Sequence, residues 1–396
     1  MNAATISSNI YYLGAHDTQT DLFESLWEIP QGISYNCYLI LDRHPTLVDT
    51  VELKFSDDLL AQLKQLLQNR TLEYLVINHM EPDHSGTIKK VLAAYPQVKI
   101  VGNHKTALMA VGFYNLDEDK IKLIRTGDTL NLGKHQLEFY QTSMVHWPES
   151  MVTFEKNTGI LFSSDIFGGF KTAEPEPLAD RINNLDEYLT EARRYFASVL
   201  GAYTKPTKRV LKNLASLDIK TIAPAHGLVW QEKKQIILDH YQNWAELKAE
   251  LGVTIIYGSM YGHTKKIAEK IATEITQANL PVKIIDAARV SLAEQLSSIW
   301  QYQGLIIGSC TYVDGLFPPI QRLLAALTTD KINDRFFGFF GSYSWTGGSL
   351  KKLKIFADNS KMELVGEPFK TQYQLTVESK KSAIALAQVM IKKLIF

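Results

Sequence analysis

The sequence predicts an α/β chain in two parts, a layered α/β sandwich followed by an open, doubly wound parallel sheet. Three observations carry this reading. The 396 residues exceed one typical domain. Short β-rich runs with few helices between them crowd the first half of the chain. After about residue 252 the rhythm changes to regular strand, loop, helix units.

Composition sets outer limits. Lys plus Arg and Asp plus Glu both number 42, and the formal net charge is zero. A general nucleic-acid binder needs a basic footprint, so nucleic acid is excluded as a partner. No apolar run reaches the roughly 20 residues of a spanning helix, and the amino terminus lacks a charged segment followed by an apolar one. No membrane association and a cytoplasmic location are expected. Cys37 and Cys310, the only cysteines, suit a reducing compartment and exclude a thiolate cluster. Any metal must be held by histidines and carboxylates.

In the first part the expected strands are 37 to 42, 46 to 50, 73 to 78, 98 to 102, 136 to 140 and 159 to 165. Helices are expected at 56 to 68, where Leu59, Leu60, Leu63, Leu66 and Leu67 recur at helical spacing, and at 87 to 95, 186 to 200 and 231 to 249. In the second part, apolar strands at 253 to 257, 282 to 286, 304 to 309 and 335 to 340 alternate with helices at 264 to 277, 291 to 300, 317 to 327 and 347 to 358. A weaker strand at 362 to 365 and a helix from 379 close the series. The join falls near Glu250 to Val253, dividing the chain into 1–251 and 252–396.

The densest chemical signal is N-H-M-E-P-D-H-S-G at 78 to 86, directly after an apolar strand. In an extended or turning segment alternate side chains point the same way, so His79, Glu81 and Asp83 can converge while His84 approaches from the next turn. Taken alone, the segment also reads as a polar helix-capping turn with exposed histidines. Three further strand-like runs end in ligand-type residues, at His146, Asp165 and His226. Of the other histidines, His16, His44, His104, His135 and His240 lie in surface-like contexts. Four imidazoles and three carboxylates suffice for two divalent ions with one bridging carboxylate and open positions for a small substrate. Such a set suits non-haem iron or manganese, and zinc also accepts it.

In the second part, Y-G-S-M-Y-G-H-T at 257 to 264 ends a strand in a short loop and starts a helix at once. Backbone N–H groups of the loop, with the Ser259 and Thr264 hydroxyls, suit a phosphate. A ligand-free capped helix is the competing reading. The absence of G-x-x-x-x-G-K-[ST] and of G-x-G-x-x-G disfavours nucleotide hydrolysis and a dinucleotide site. Two more loops, 310 to 314 and 341 to 348, follow apolar strands and set Tyr312 and Trp345 where rings can stack on a planar ligand.

The first motif resembles the metallo-β-lactamase superfamily, whose usual H-x-H-x-D-H is replaced here by H-x-E-x-D-H. With the intervals to His146, Asp165 and His226, this resembles the flavodiiron proteins. Their second half is flavodoxin-like and reads similarly to the three loops here, with His263 for Asn, Cys310 for Pro, Ser344 for Gly and Thr346 for Ser. The resemblance covers essentially the whole chain. It implies a metallo-β-lactamase-like αββα sandwich followed by a flavodoxin-like doubly wound sheet.

By that resemblance one iron takes His79, Glu81 and His146, the other Asp83, His84 and His226, with Asp165 bridging. FMN is implied at Ser259, Met260, Tyr261, Gly262, His263, Thr264, Thr311, Tyr312, Val313, Asp314, Ser342, Tyr343, Trp345 and Gly347. The activity implied is reduction of O2 to water, of NO to N2O, or both. Electrons pass through FMN from an external donor such as rubredoxin, a reductase or a reduced deazaflavin. Four electrons are needed for O2, two from a diferrous pair and two from reduced FMN. A head-to-tail homodimer or tetramer is implied, with Trp345 near the contact.

Tyr195 is a candidate hydrogen-bond donor to the iron pocket, though its spacing with Tyr188 and Val199 equally marks a core face. Trp147 is expected to wall the pocket and Cys37 to be buried packing. A dizinc hydrolase with an accessory flavodoxin-like half is the alternative from another reaction class, and Glu81 argues against it. An electron carrier with a merely structural first domain is the alternative from the binding class.

Overall fold

Strands Ile10–Asp17 and Ile33–Ile40 pair antiparallel along their whole length, from Ile10 opposite Ile40 to Asp17 opposite Ile33. In the computed structural model, which describes residues 3–173 and 175–396, they lie within a seven-stranded sheet. Ala4–Ser7 flanks them on one side. Thr46–Val48, Tyr74–Val76, Lys99–Gly102 and Ile121–Leu123 follow on the other, the last four parallel to one another. A five-stranded sheet runs Thr129–Asn131, Gln136–Gln141, Met151–Glu155, Ile160–Ser164 and Thr221–Pro224.

One apolar cluster joins the two sheets face to face. Ile10, Tyr12, Tyr38, Val48 and Val76 from the first meet Leu137, Phe139, Met151, Phe162 and Ala223 from the second. The Tyr38 and Phe162 rings are 5.2 Å apart. Helix Ser56–Leu67 buries Leu59, Leu63 and Leu67 against strand Ile10–Asp17, on the outside of this double layer. A helix laid over a sheet that faces another sheet is the sandwich architecture the sequence predicts.

Two helices of this part were absent from the sequence expectation. His104–Tyr114 is apolar on several sides, leaving Leu108 and Phe113 exposed, so it has no clean stripe to read. Thr204–Leu214 carries Pro206 in its first turn, where a missing N–H costs nothing. The helix expected at 186 to 200 is α-helical only over Leu185–Tyr195 and then opens into a π-helical turn, Phe196–Leu200.

In the second part the parallel strands lie in the order Val282–Asp286, Glu250–Gly258, Tyr302–Tyr312, Phe336–Tyr343, Glu363–Leu364, and Phe369–Gln372 also pairs with Phe336–Tyr343. Helix His263–Gln277 buries Ile267, Ile271 and Ile275, and the last helix, Val377–Ile395, buries Leu386 and Met390 in the same core. The strand order reverses on either side of Glu250–Gly258, so its carboxyl end and that of Tyr302–Tyr312 flank the switch point where such sheets bind ligands.

The chain divides into compact units at Gln242 and Asn243, upstream of the expected join. The reason is that the residues after helix Lys234–Ala245 are tied into the second unit: Arg335 Nη1 donates to Leu247 O at 2.8 Å, and Gln303 Nε2 donates to Ala249 O at 3.2 Å. Both cysteines are free and buried, Cys37 within strand Ile33–Ile40. Among the described residues no helix is long and apolar enough to cross a membrane.

Candidate metal centre

The seven ligand-type residues lie on the connections that follow strands: His79 and Glu81 after Tyr74–Val76, Asp83 and His84 in the helical turn Pro82–Ser85, and His146 in the loop between Gln136–Gln141 and Met151–Glu155, with Asp165 and His226 just past two further strands. After Tyr74–Val76 the chain is caught by Asp49, which accepts from Asn78 N at 2.7 Å and Asn78 Nδ2 at 3.1 Å. The next residue, His79, is thereby aimed inward. Pro82 then starts a single helical turn, Pro82–Ser85, and Ser85 Oγ donates back to Met80 O at 2.7 Å. His84 O accepts from both Thr50 N and Thr50 Oγ1, which anchors the far side of the turn. Asp165 ends strand Ile160–Ser164. His226 follows Thr221–Pro224 in a turn held by Asn36 Nδ2, which donates to Pro224 O and Gly227 O at 2.9 Å each.

All four imidazoles present Nε2 to the same space. His79 Nε2 lies 3.2 Å from Glu81 and 3.3 Å from Asp165, and His146 Nε2 lies 3.0 Å from Glu81 and 3.4 Å from Asp165. His84 Nε2 lies 3.3 Å from Asp83 and 3.1 Å from Asp165, and His226 Nε2 lies 3.4 Å from Asp83 and 3.5 Å from Asp165. Asp165 thus turns Oδ2 to one pair and Oδ1 to the other. Two groups result, His79, Glu81, His146 and Asp165 in one, Asp83, His84 and His226 in the other.

The electrostatics ask for cations. Both oxygens of Asp83 and of Asp165 are buried without a conventional hydrogen-bond partner. Such atoms are costly unless something positive faces them. Burial pulls the His84 imidazole down, but the Asp83 and Asp165 carboxylates outweigh it and push it up to about 9. His146 also rises to about 9, against burial, through Asp165 and Glu81. Burial pushes Asp165 up, and the surrounding imidazoles, His79 first, hold it well below the usual carboxylate range. Protons on nitrogen occupy the place that metal ions take when the imidazoles are neutral ligands.

Aromatic rings close around the second group. Phe23, Tyr35 and Tyr195 have ring centres 5.4, 5.7 and 5.5 Å from that of His226. Trp147 stands edge-on to His79 at 5.2 Å, the walling position expected of it. Tyr195 is fully buried, and its hydroxyl has no partner among the described residues.

In the second unit, Ser259, Met260, Tyr261, His263, Thr264, Thr311, Ser342 and Tyr343 line one cleft at the carboxyl edge of the sheet. Gly262 N–H donates to Ser259 Oγ at 3.0 Å, and Gly262, at φ 85°, precedes helix His263–Gln277. The Thr264 and Ser342 hydroxyls are 2.7 Å apart. Gly347, also left-handed at φ 73°, caps helix Gly348–Ser360, and a Cβ on Gly348 would sit 2.2 Å from Asp314 O, so these two loops touch. Val313 and Asp314 both have positive φ, an unusual conformation for a β-branched residue. Tyr312, Val313 and Trp345 stand at the exposed rim rather than in the cleft, Trp345 at 82% exposure.

Comparison with known proteins decides the family. The model of the ODP family beta lactamase matches residues 33–227, and the flavodoxin model matches residues 255–384. The anaerobic nitric oxide reductase flavorubredoxin of Pectobacterium carotovorum is 31% identical over 358 residues, covering 89% of this chain and 71% of that one. The flavorubredoxin of Aeromonas hydrophila is likewise 31% identical, over 88% and 71%. The rubredoxin oxygen:oxidoreductase of Desulfovibrio gigas superposes with a TM-score of 0.94 at 27% identity, covering 99% of this chain and 98% of that one. A flavo di-iron protein variant of Thermotoga maritima superposes at 0.91 with 26% identity and the same coverage. The chain belongs to the flavodiiron protein family.

A flavodiiron centre fits the residues present. Each group offers two imidazoles and one carboxylate of its own, and Asp165 is shared. The cleft in the second unit fits a phosphate at Ser259 to Thr264, with the hydroxyls of Thr264 and Ser342 pointing at each other across it.

One surface expectation was wrong. His135 is buried, with Nδ1 3.4 Å from Glu155 at the end of strand Met151–Glu155 and its backbone N–H donating to Asp42 Oδ2. His16 and His44 are partly buried, in contact with Ser34 and Glu73. Sequence reasoning also missed Glu149, whose Oε1 accepts from His79 Nδ1 at 2.7 Å, and Tyr373, which lines the flavin cleft. The presence of a carboxylate three residues after His146 was the available signal for Glu149. Tyr373 had none, because the strand it follows, Phe369–Gln372, is too short and polar to read.

Proposed function

We propose that this chain is a flavodiiron oxygen and nitric oxide reductase, with two irons held by His79, Glu81, Asp83, His84, His146, Asp165 and His226. FMN is held by the loops Ser259–Thr264, Thr311–Asp314 and Ser342–Gly347. The observation that carries it is the set of four buried Nε2 atoms converging on the unpaired oxygens of Asp83 and Asp165. When bound, iron and flavin together supply the four electrons that take O2 to two waters, or the two that couple two NO molecules into N2O and water.

The residues set geometry and access. Asp165 holds the two groups in register, one oxygen to each. The rings of Phe23, Tyr35 and Tyr195, with Phe170 behind them, pack around His226 and would shield that side of the centre from bulk water. The buried, unpartnered Tyr195 Oη, on a ring 5.5 Å from that of His226, would serve as the hydrogen-bond donor to a substrate oxygen as negative charge develops on it. In the second unit, left-handed Gly262 turns the loop into the start of helix His263–Gln277, where backbone N–H groups would hold the FMN phosphate. The exposed Tyr261, Tyr312 and Trp345 rings form a rim for the isoalloxazine and for a second copy of the chain in a head-to-tail dimer or tetramer. The electrons come from an external donor such as a rubredoxin, a reductase or a reduced deazaflavin, in the cytoplasm.

The test is metal and flavin content of protein purified without added metal, followed by anaerobic reduction and a pulse of O2 or NO. About two irons and one FMN per chain, reoxidised without hydrogen peroxide, are expected. Two zincs and a flavin that slowly yields peroxide would sink the reading in favour of a hydrolase. The relative rates for the two gases assign the substrate.

A further inference from the structure

The two metal positions have matching inner ligands: two imidazoles and one carboxylate each, with Asp165 between them. What differs is the outer nitrogen of each imidazole. His226 Nδ1 donates to the backbone carbonyl of Ser34 at 2.8 Å, a neutral acceptor. His84 Nδ1 is buried with no partner. His79 Nδ1 lies 2.7 Å from Glu149 Oε1, and an ionised carboxylate can only accept, so this nitrogen carries the proton and leaves the Nε2 lone pair for the metal. Among the described residues, Glu149 is the only carboxylate bonded to an outer imidazole nitrogen of the set. Asp49, the other buried carboxylate nearby, is taken up by Asn78.

Glu149 is also built in. It is buried, its Oε1 accepts from Met80 N at 2.9 Å, and its backbone oxygen accepts from Asn103 Nδ2 at 2.5 Å. Asn103 in turn caps helix His104–Tyr114. The loop that carries Glu149 carries His146 as well, and Trp147 between them stands against the His79 ring at 88°. One segment therefore supplies a ligand of the first position and braces the other imidazole of that position.

We infer that Glu149 is the positioning residue of His79 and that it makes the ion held by His79, Glu81 and His146 the more tightly bound of the two. A charged acceptor on the outer nitrogen locks the ring and its tautomer and raises the basicity of Nε2, and loss of such a partner costs about 10–100-fold in metal affinity. This rests on the two-metal reading above.

The test titrates metal-free protein with 57Fe(II) under anaerobic chelator competition, in wild type and Glu149→Gln, with Mössbauer spectra at each stage. In wild type two irons bind in resolved steps. In the Gln variant one of the two is expected to bind about 10–100-fold more weakly, with its quadrupole doublet shifted, while the other keeps its wild-type affinity and doublet. Two unchanged affinities and doublets would overturn the inference, and so would equal weakening of both irons, which marks a merely structural role. A wild type that binds fewer than two irons would sink the two-metal reading itself. If the variant does not fold, wild-type crystals partly stripped by chelator decide: residual anomalous signal beside His79 supports the inference, and residual signal beside His226 overturns it.

Discussion

The Tyr195 ring lies 5.5 Å from the ring of His226, and its hydroxyl is buried, unpaired and at the last residue before a π-helical turn. π-helical turns recur at functional sites. Tyr195→Phe removes an unsatisfied polar atom, so stability is expected to stay within about 1 kcal/mol of wild type or to rise. If the hydroxyl donates to substrate, turnover falls by about 10-fold or more at unchanged iron content. Unchanged turnover would assign Tyr195 to the core alone.

Gly227 follows the ligand His226 at φ 72°, and a Cβ there would stand 2.0 Å from Tyr188 Oη, which accepts from Leu228 N. Gly227→Ala combines backbone strain with a clash against a buried side chain. A loss of about 2–4 kcal/mol in the unfolding of the first unit is expected, read by denaturant titration. Iron content should fall with it, since the same turn aims His226.

Asp17 supplies a pH prediction. Burial pushes its carboxyl up, but the Lys54 ammonium at 2.6 Å, with the Thr20 and Gln19 groups, outweighs it and holds the pKa at about 2. A folded pKa below the unfolded one means stability that is present above about pH 4 and is lost as pH falls toward 2. Lys54 is 41% exposed, so the contribution is discounted to about 1 kcal/mol. Asp17→Asn should lose about that amount at pH 7, and the gap to wild type should close across that acid window in urea melts.

Metal removal should act on one unit. Without ions the buried oxygens of Asp83 and Asp165 have no conventional hydrogen-bond partner among the described residues. Anaerobic chelation is expected to lower the thermal transition of residues up to Gln242 and to leave that of Asn243–Phe396 unchanged, as binding linkage requires. Calorimetry with and without chelator reads both. A shift in the second transition alone would contradict the placement of the site.

Thr264 sits buried in the first turn of helix His263–Gln277, its hydroxyl 2.7 Å from that of Ser342. Thr264→Val keeps the shape and removes the donor. FMN affinity is expected to fall about 10-fold, equivalent to about 1.4 kcal/mol, in a flavin-fluorescence titration of deflavinated protein. Wild-type affinity would place the phosphate elsewhere.

Much of this was legible in the chain. Ligand-type residues at 79, 81, 83 and 84 were readable as one dense cluster after an apolar strand, and those at 146, 165 and 226 because each closes a strand-like run, where a layered α/β fold brings distant segments together. The apolar strands of the second half, with their loops at 259 to 264 and 341 to 348, were readable for the same reason. Helix His104–Tyr114 was not, because both its inner and outer faces are apolar. His135 read as surface because the Glu155 and Asp42 that enclose it come from other strands and turns.

Local pattern by itself determined the two-part α/β class, the metal-type residue set and the phosphate-type loop, since strand periodicity and side-chain chemistry act over a few residues. The division of the seven ligand-type residues into two groups came from the resemblance, and the tertiary structure added that Asp165 turns one oxygen to each group. It also brought Glu149 Oε1 to 2.7 Å from His79 Nδ1 and left the Tyr195 hydroxyl without a partner among the described residues. Those relations join atoms far apart in sequence. They exist only when two sheets pack face to face and bury the charges, so that each unpaired polar atom must meet a partner or a ligand.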